Sequence, residues 1–212
     1  MARAMAGTDF FIAEPMFAMA RFGKWDDLLK EPAPPGGLPY MRGIWHYTRG
    51  LAFAATGRLE EAQRSRDSLA AIRDATPEDA VEDLNSAKAL LSIALEVLAG
   101  ETALKRGDNA EAVKHLEEAV KGEDASHYSE AADWLYPARH HLGKALLAAG
   151  RAAEAEAVYR EDLKRYPENG WSLYGLARSL SAQGKTAEAA DAEARFKRAW
   201  AKADVKITAS AF

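Results

Sequence analysis

Five histidines, His46, His115, His127, His140 and His141, are the residues of this chain best suited to proton transfer or metal ligation. Only His140 and His141 are adjacent, and neighbouring side chains on a helix point about 100° apart, so the two do not readily serve one ion. A transition-metal site built on either would need a carboxylate and a third ligand from another helix. The 212 residues include no cysteine, which removes thiolate nucleophiles, zinc–thiolate sites, iron–sulfur clusters and disulfides together. Gly-x-Ser-x-Gly, Gly-x4-Gly-Lys-Ser/Thr, Gly-x-Gly-x-x-Gly and His-Glu-x-x-His do not occur in the sequence. The expectation is a chain with no catalytic centre, no cofactor and no metal.

Other residue types suit binding. Trp134, Tyr136, Pro137 and Arg139 make a dense aromatic cluster, which reads either as an interface anchor or as the seal of a junction in the core. Trp25 and Trp200 read as caps over the two ends of the core. Lys144 and Arg178 are 34 residues apart, as are His140 and Tyr174. The net charge of −4 does not attract a polyphosphate backbone, so nucleic acid is not expected as a partner. The basic segment from Arg195 to Lys202 reads as the outer face of a terminal helix. No stretch reaches the roughly 20 apolar residues of a membrane helix. Asp9 and Glu14 interrupt any secretory core, so residue 1 reads as a mature start and the expected compartment is the cytoplasm.

What positions these side chains is a repeat. Alanine makes up 46 of the 212 residues, which favours helices packed closely on small side chains and disfavours β-sandwiches and barrels. The phrase Gly-x3-Glu-Ala recurs as Gly57 with Glu61 and Ala62, Gly107 with Glu111 and Ala112, Gly150 with Glu154 and Ala155, and Gly184 with Glu188 and Ala189. A degenerate copy begins at Gly23, and successive glycines are spaced by 34, 50, 43 and 34 residues. A glycine in the left-handed conformation ends one helix, and acidic residues suit the first turn of the next. Gly50, Gly100 and Gly143 stand seven residues before three of these turns, with Ala177 in the fourth, and should let paired helices approach closely.

These residues resemble the tetratricopeptide repeat. The fullest copy runs over 136–169, with Leu142, Gly143, Leu146, Gly150, Ala155, Tyr159 and Pro167 in the family's positions; the next covers 170–203. Looser copies fall at about 9–38, 43–76 and 93–128, with Arg49 and Arg66 where apolar residues are usual, and a tail follows from 204 to 212. The segments from Arg21 to Trp25, Trp45 to Gly50, Trp134 to Arg139, Asn169 to Trp171 and Phe196 to Trp200 are also similar to the C-terminal half of larger uncharacterised bacterial repeat proteins, which implies a fragment or shortened relative. The resemblance implies an all-α, right-handed α-solenoid of stacked hairpins, a single array over 1–212. Helices are expected over 9–22, 24–30, 39–56, 58–73, 77–106, 108–121, 129–149, 151–166, 170–183 and 185–203. The β-branched tail is expected as an extended strap over the last helix, or as disorder.

In this family the first helix of each repeat lines a concave groove. Here its inward positions hold Tyr47, Leu51, Val97, Glu101, His140, Lys144, Trp171, Tyr174 and Arg178, with Lys144 beside Arg178 and His140 beside Tyr174. Two cations near aromatic rings suit a peptide carboxylate or acidic side chain. The asparagines of the carboxylate-clamp subtype are missing from those positions. The expected function is a non-catalytic scaffold that binds a protein or peptide in the groove. The alternative is a small-ligand or metal-binding domain of a larger enzyme-like assembly, using His140 and the Trp134–Arg139 cluster. Self-association through the open ends of the array is a third reading.

Overall fold

Helical hairpins follow one another along the chain because the same turn is built five times. The structure, a computed structural model, describes residues 9–128, 130 and 132–212. The reading of the first residues as a mature start, and the beginning of the helix expected from 129, lie outside the described residues. The hairpins are α1 (Asp9–Arg21) with α2 (Trp25–Lys30), α3 (Pro39–Ala55) with α4 (Leu59–Ala75), α5 (Ala87–Arg106) with α6 (Asn109–Asp124), α7 (Ala138–Ala148) with α8 (Ala152–Arg165), and α9 (Gly170–Ala182) with α10 (Thr186–Ala199). At every turn the repeat glycine has φ between +64° and +82°. The residue after it donates to the carbonyl five positions back, as in Arg58 N to Phe53 O at 2.8 Å and Arg151 N to Leu146 O at 2.8 Å. That is the helix ending that only a residue tolerant of positive φ completes without strain. The same residue's carbonyl then accepts from the repeat alanine, as in Ala62 N to Arg58 O at 3.0 Å, and starts the next helix.

The first helices α1, α3, α5, α7 and α9 each touch the next, and every second helix packs on the first helix of the following hairpin. Ala62, Ala112 and Ala155 are fully buried at the close approaches, and Ala189 is half-buried. A methyl group at Gly100 would lie 2.5 Å from Leu116 of the paired helix, and one at Gly143 would lie 2.2 Å from Tyr159. Gly50 differs from the expectation. Its neighbour is Leu98 of α5, so this glycine brings two consecutive first helices together rather than the two arms of one hairpin. Arg49, in a place expected to be apolar, sends Nη1 to the Leu29 carbonyl at 2.6 Å and covers the end of α2. A cation there offsets the negative end of that short helix.

Three expected elements are corrected. The long helix expected over 77–106 is broken: β1 (Val81–Glu82) and β2 (Asn85–Ser86) pair as a tight antiparallel hairpin, with Val81 opposite Ser86. Asp83 takes φ +50° at its turn, a conformation aspartate tolerates, and the Ser86 hydroxyl caps α5 by accepting from Ala89 N. The helix expected over 129–149 begins only at Ala138, because Pro137 sits at its N-cap and the preceding chain is irregular. That irregular stretch is pinned by Asn85, whose side chain accepts from His127 N at 2.7 Å and donates to Asp133 at 2.7 Å. The tail does not lie over the last helix. It leaves α10 through a bond from Trp200 Nε1 to Val205 O at 2.7 Å and crosses the row of first helices. No helix among the described residues is long and apolar enough to cross a membrane.

Candidate functional site

Other segments of the chain pack onto the surface made by α3, α5, α7 and α9. Phe17 of α1 leans into it and meets the rings of Tyr47 at 5.9 Å, Trp134 at 5.6 Å and Tyr136 at 6.1 Å. Tyr47 and Trp134 are buried, and burial raises the Tyr47 hydroxyl far above its ordinary range. In this cluster Trp134 is buried and Tyr136 is half-buried. Arg139 faces away from it and holds both oxygens of Asp124 at 2.7 Å, tying α7 to the end of α6. Glu123 completes that tie by accepting from Ala138 N at 2.7 Å, and burial pushes its carboxyl up to about 7.

Beside this seal lies a buried polar chain. Arg21, at the end of α1, places Nη2 3.0 Å from His140 Nδ1, while His140 Nε2 lies 3.1 Å from Asp162. Since an arginine only donates, Nδ1 accepts, and the neutral imidazole donates through Nε2 to the carboxylate. Ser172 donates to the same Asp162 oxygen at 2.5 Å. Burial drives His140 down to about 4 despite the pull of Asp162, and lowers Arg21 to about 10. The guanidinium also lies 3.8 Å from the centre of the Trp171 ring and 5.0 Å from that of Tyr136. These contacts hold the first hairpin against α7 and α9. Both ring nitrogens of His140 are engaged, so the alternative ligand reading loses its histidine.

His141 points the other way, as adjacent helical residues must. Its Nδ1 lies 2.7 Å from Glu101, whose second oxygen accepts from Lys144 Nζ at 2.6 Å. Burial alone would raise Glu101, but the Lys144 ammonium and the His141 bond outweigh it and bring the carboxyl down to about 2. Lys144 is therefore spent on α5 and on the tail, and does not pair with Arg178. Arg178 is exposed, bonds the Tyr174 hydroxyl at 3.2 Å, and borders a separate cleft with Phe196 and Glu193. His140 and Tyr174 are not partners either: one is fully buried, and the other bonds the tail.

The tail crosses this surface in extended form. Val205, Ile207 and Ala209 are half-buried while Lys206 and Thr208 are exposed, the alternation of an extended strand. Tyr174 donates to Thr208 O at 3.0 Å, and Lys144 donates to the main-chain oxygen of Phe212 at 2.7 Å. Ser210 donates to His140 O at 2.8 Å, so the Tyr159 hydroxyl, 2.6 Å from Ser210 Oγ, donates to it. The Phe212 ring meets Trp25 and His141 edge-on, with centroids 5.4 and 4.9 Å apart. Trp25, expected as an end cap, is thus one wall of this seat. Trp200 does cover the last hairpin, stacking on Phe196 and meeting Trp171 edge-on. A cleft of about 520 Å³ remains between the tail, Arg21, Leu104 and Lys144.

The four hairpin arms from α7 to α10 match a known family model, that of the tetratricopeptide repeat, over residues 141–204. Residues 141–204 are a tetratricopeptide repeat. Tetratricopeptide repeats generally mediate protein–protein interactions, and no catalytic family matches the chain. Comparison with curated proteins and with solved structures finds no match, and nothing supports the narrower likeness to larger bacterial proteins. Sequence reasoning missed Arg21, His141, Asp162, Tyr159 and Ser210 as parts of the inner surface. A lone basic residue ending a mostly apolar helix was the readable signal for the first, whereas Ser210 carried none.

Proposed function

We propose that the chain is a non-catalytic interaction scaffold, one array from the first hairpin to the tail, whose inner surface binds an extended segment of a protein. The observation that carries this reading is the seat itself. Three side chains on the array, Trp200, Tyr174 and Lys144, donate to main-chain oxygens of residues 205, 208 and 212. Bonds to main-chain oxygens are indifferent to sequence, so they hold any extended peptide in register. Glu101 holds Lys144 Nζ at 2.6 Å and so aims it, and Arg178 stands over Tyr174 at the rim.

The test is selection of random displayed peptides against the full chain and, in parallel, against the full chain carrying Phe212→Ala. Affinities of the selected peptides are then read by fluorescence polarisation. Replacing Lys144 by glutamate removes a charged hydrogen bond of about 1.5–3 kcal/mol and should weaken binding at least about tenfold. Tyr174→Phe should weaken it by less. Failure to select peptides on either chain, or peptides indifferent to both substitutions, contradicts the reading.

A further inference from the structure

Residues 205–212 are more than a strap, because the seat reads their side chains as well as their backbone. Ser210 and Ala211 are each only 2% exposed. The Ser210 hydroxyl is both donor and acceptor, between His140 O and the Tyr159 hydroxyl, so a residue without a hydroxyl leaves two buried groups short of a partner. Ala211 is a small side chain almost wholly closed to solvent at the edge of the cleft. Phe212 fills a slot walled by Trp25 on one side and His141 on the other, with the Lys144 ammonium 5.9 Å from its ring centre. The partners of these residues are themselves held within the array: His141 by Glu101, and Tyr159 in the space left by Gly143 and Gly175. Hydroxyl, small and aromatic residues in succession are what the chain places there.

We propose that the partner is an extended peptide bearing a hydroxyl, a small and an aromatic residue in succession, and that residues 205–212 hold its place as a tethered competitor. This rests on the inner surface being a peptide seat. A tail joined through only residues 200–204 acts at an effective concentration of about millimolar, so a free segment of equal affinity is largely shut out. Binding of a partner and release of the tail are then one equilibrium. The cleft between the tail and Lys144 gives an incoming segment a place to begin.

The test adds a fluorescein-labelled peptide with the sequence of residues 204–212 to three full chains. They are the wild type, Ser210→Ala with Phe212→Ala, and a chain with about twelve Gly/Ser residues inserted after Ala203, which keeps every tail contact and loosens only the tether. The double variant should bind the peptide at least about tenfold more tightly than the wild type, and the inserted chain severalfold more tightly. Alanine at the serine or the phenylalanine of the peptide should each cost about tenfold. Equal affinity of all three chains overturns the competitor and leaves the seat standing. No binding to any of them overturns both, and because the inserted chain retains the native tail, a folding defect in the double variant does not blur the outcome.

Discussion

Alanine in place of Gly143 should destabilise the protein, although the same change inside an ordinary helix stabilises it. A helix-interior glycine costs about 0.5–1 kcal/mol relative to alanine, so propensity alone predicts a gain of that size. Against it stands a methyl group 2.2 Å from the Tyr159 ring. The ring has little room to shift: it packs so closely on Gly175 that a methyl group there would also lie only 2.1 Å from it, and its hydroxyl is held by Ser210. Overpacking of a tight core costs about 1–3 kcal/mol, which outweighs the gain. The net loss is about 1–2 kcal/mol, and in a Tyr159→Leu background the substitution should become neutral or favourable. Urea unfolding followed by circular dichroism on the four proteins of that cycle measures the coupling. Gly143→Ala as stable as the wild type, or coupling near zero, would refute the argument that these glycines exist for close approach.

Three further outcomes follow from the buried polar groups. His140, held near 4 when folded against 6.5 when unfolded, contributes stability above pH 6.5 that is lost as pH falls towards 4, about 3 kcal/mol in all. Glu123, raised to about 7, does the opposite: its contribution is full below pH 4.5 and fades as pH rises through 7. The two offset each other between about 4.5 and 6.5, so Glu123→Gln should expose a steeper acid loss in denaturation midpoints across that range; an unchanged profile would contradict it. Arg21→Met removes the cation facing His140 and should raise the histidine's pKa, read by NMR titration of its ring, whereas a fixed value would deny the contact. Asn85→Ala breaks three bonds to His127 and Asp133 and should speed chymotryptic cleavage after the exposed Tyr128 without changing helical content; cleavage at the wild-type rate would show that Asn85 does not pin that stretch.

The hairpins were legible because each turn needs one residue type in one conformation. Glycine at positions 57, 107, 150 and 184, followed at fixed distance by an alanine, leaves few alternatives for the local chain. Segment 77–86 misled because Thr76-Pro77 with two acids looks like a helix start, while the Asp83 turn and the Ser86 cap become decisive only once the hairpin forms. The inner surface was read as an open groove since nothing local tells that Phe17 and Arg21 reach across to Trp134 and His140, more than a hundred residues away. The repeat register placed Tyr47, Glu101, His140, Lys144, Trp171 and Tyr174 on first helices, but it carried nothing about the burial of Tyr47, Glu101 and His140 or about the partners of any of the six. Contacts between distant elements depend on how far the array curls, which no period of 34 residues encodes. The β-branched residues of the tail, Val205 and Ile207 among them, suggested an extended strap or disorder but not the surface that the segment crosses.

The central claim is that the inner surface holds an extended segment and that residues 205–212 occupy it. A photoreactive benzoylphenylalanine at position 212, in place of the native phenylalanine, tests it most directly, since the native ring lies against Trp25 and His141. Irradiation of the full chain followed by peptide mass spectrometry should give cross-links within one chain to the peptides containing Trp25 and His141. Absence of cross-links, or cross-links only between chains, would contradict the account.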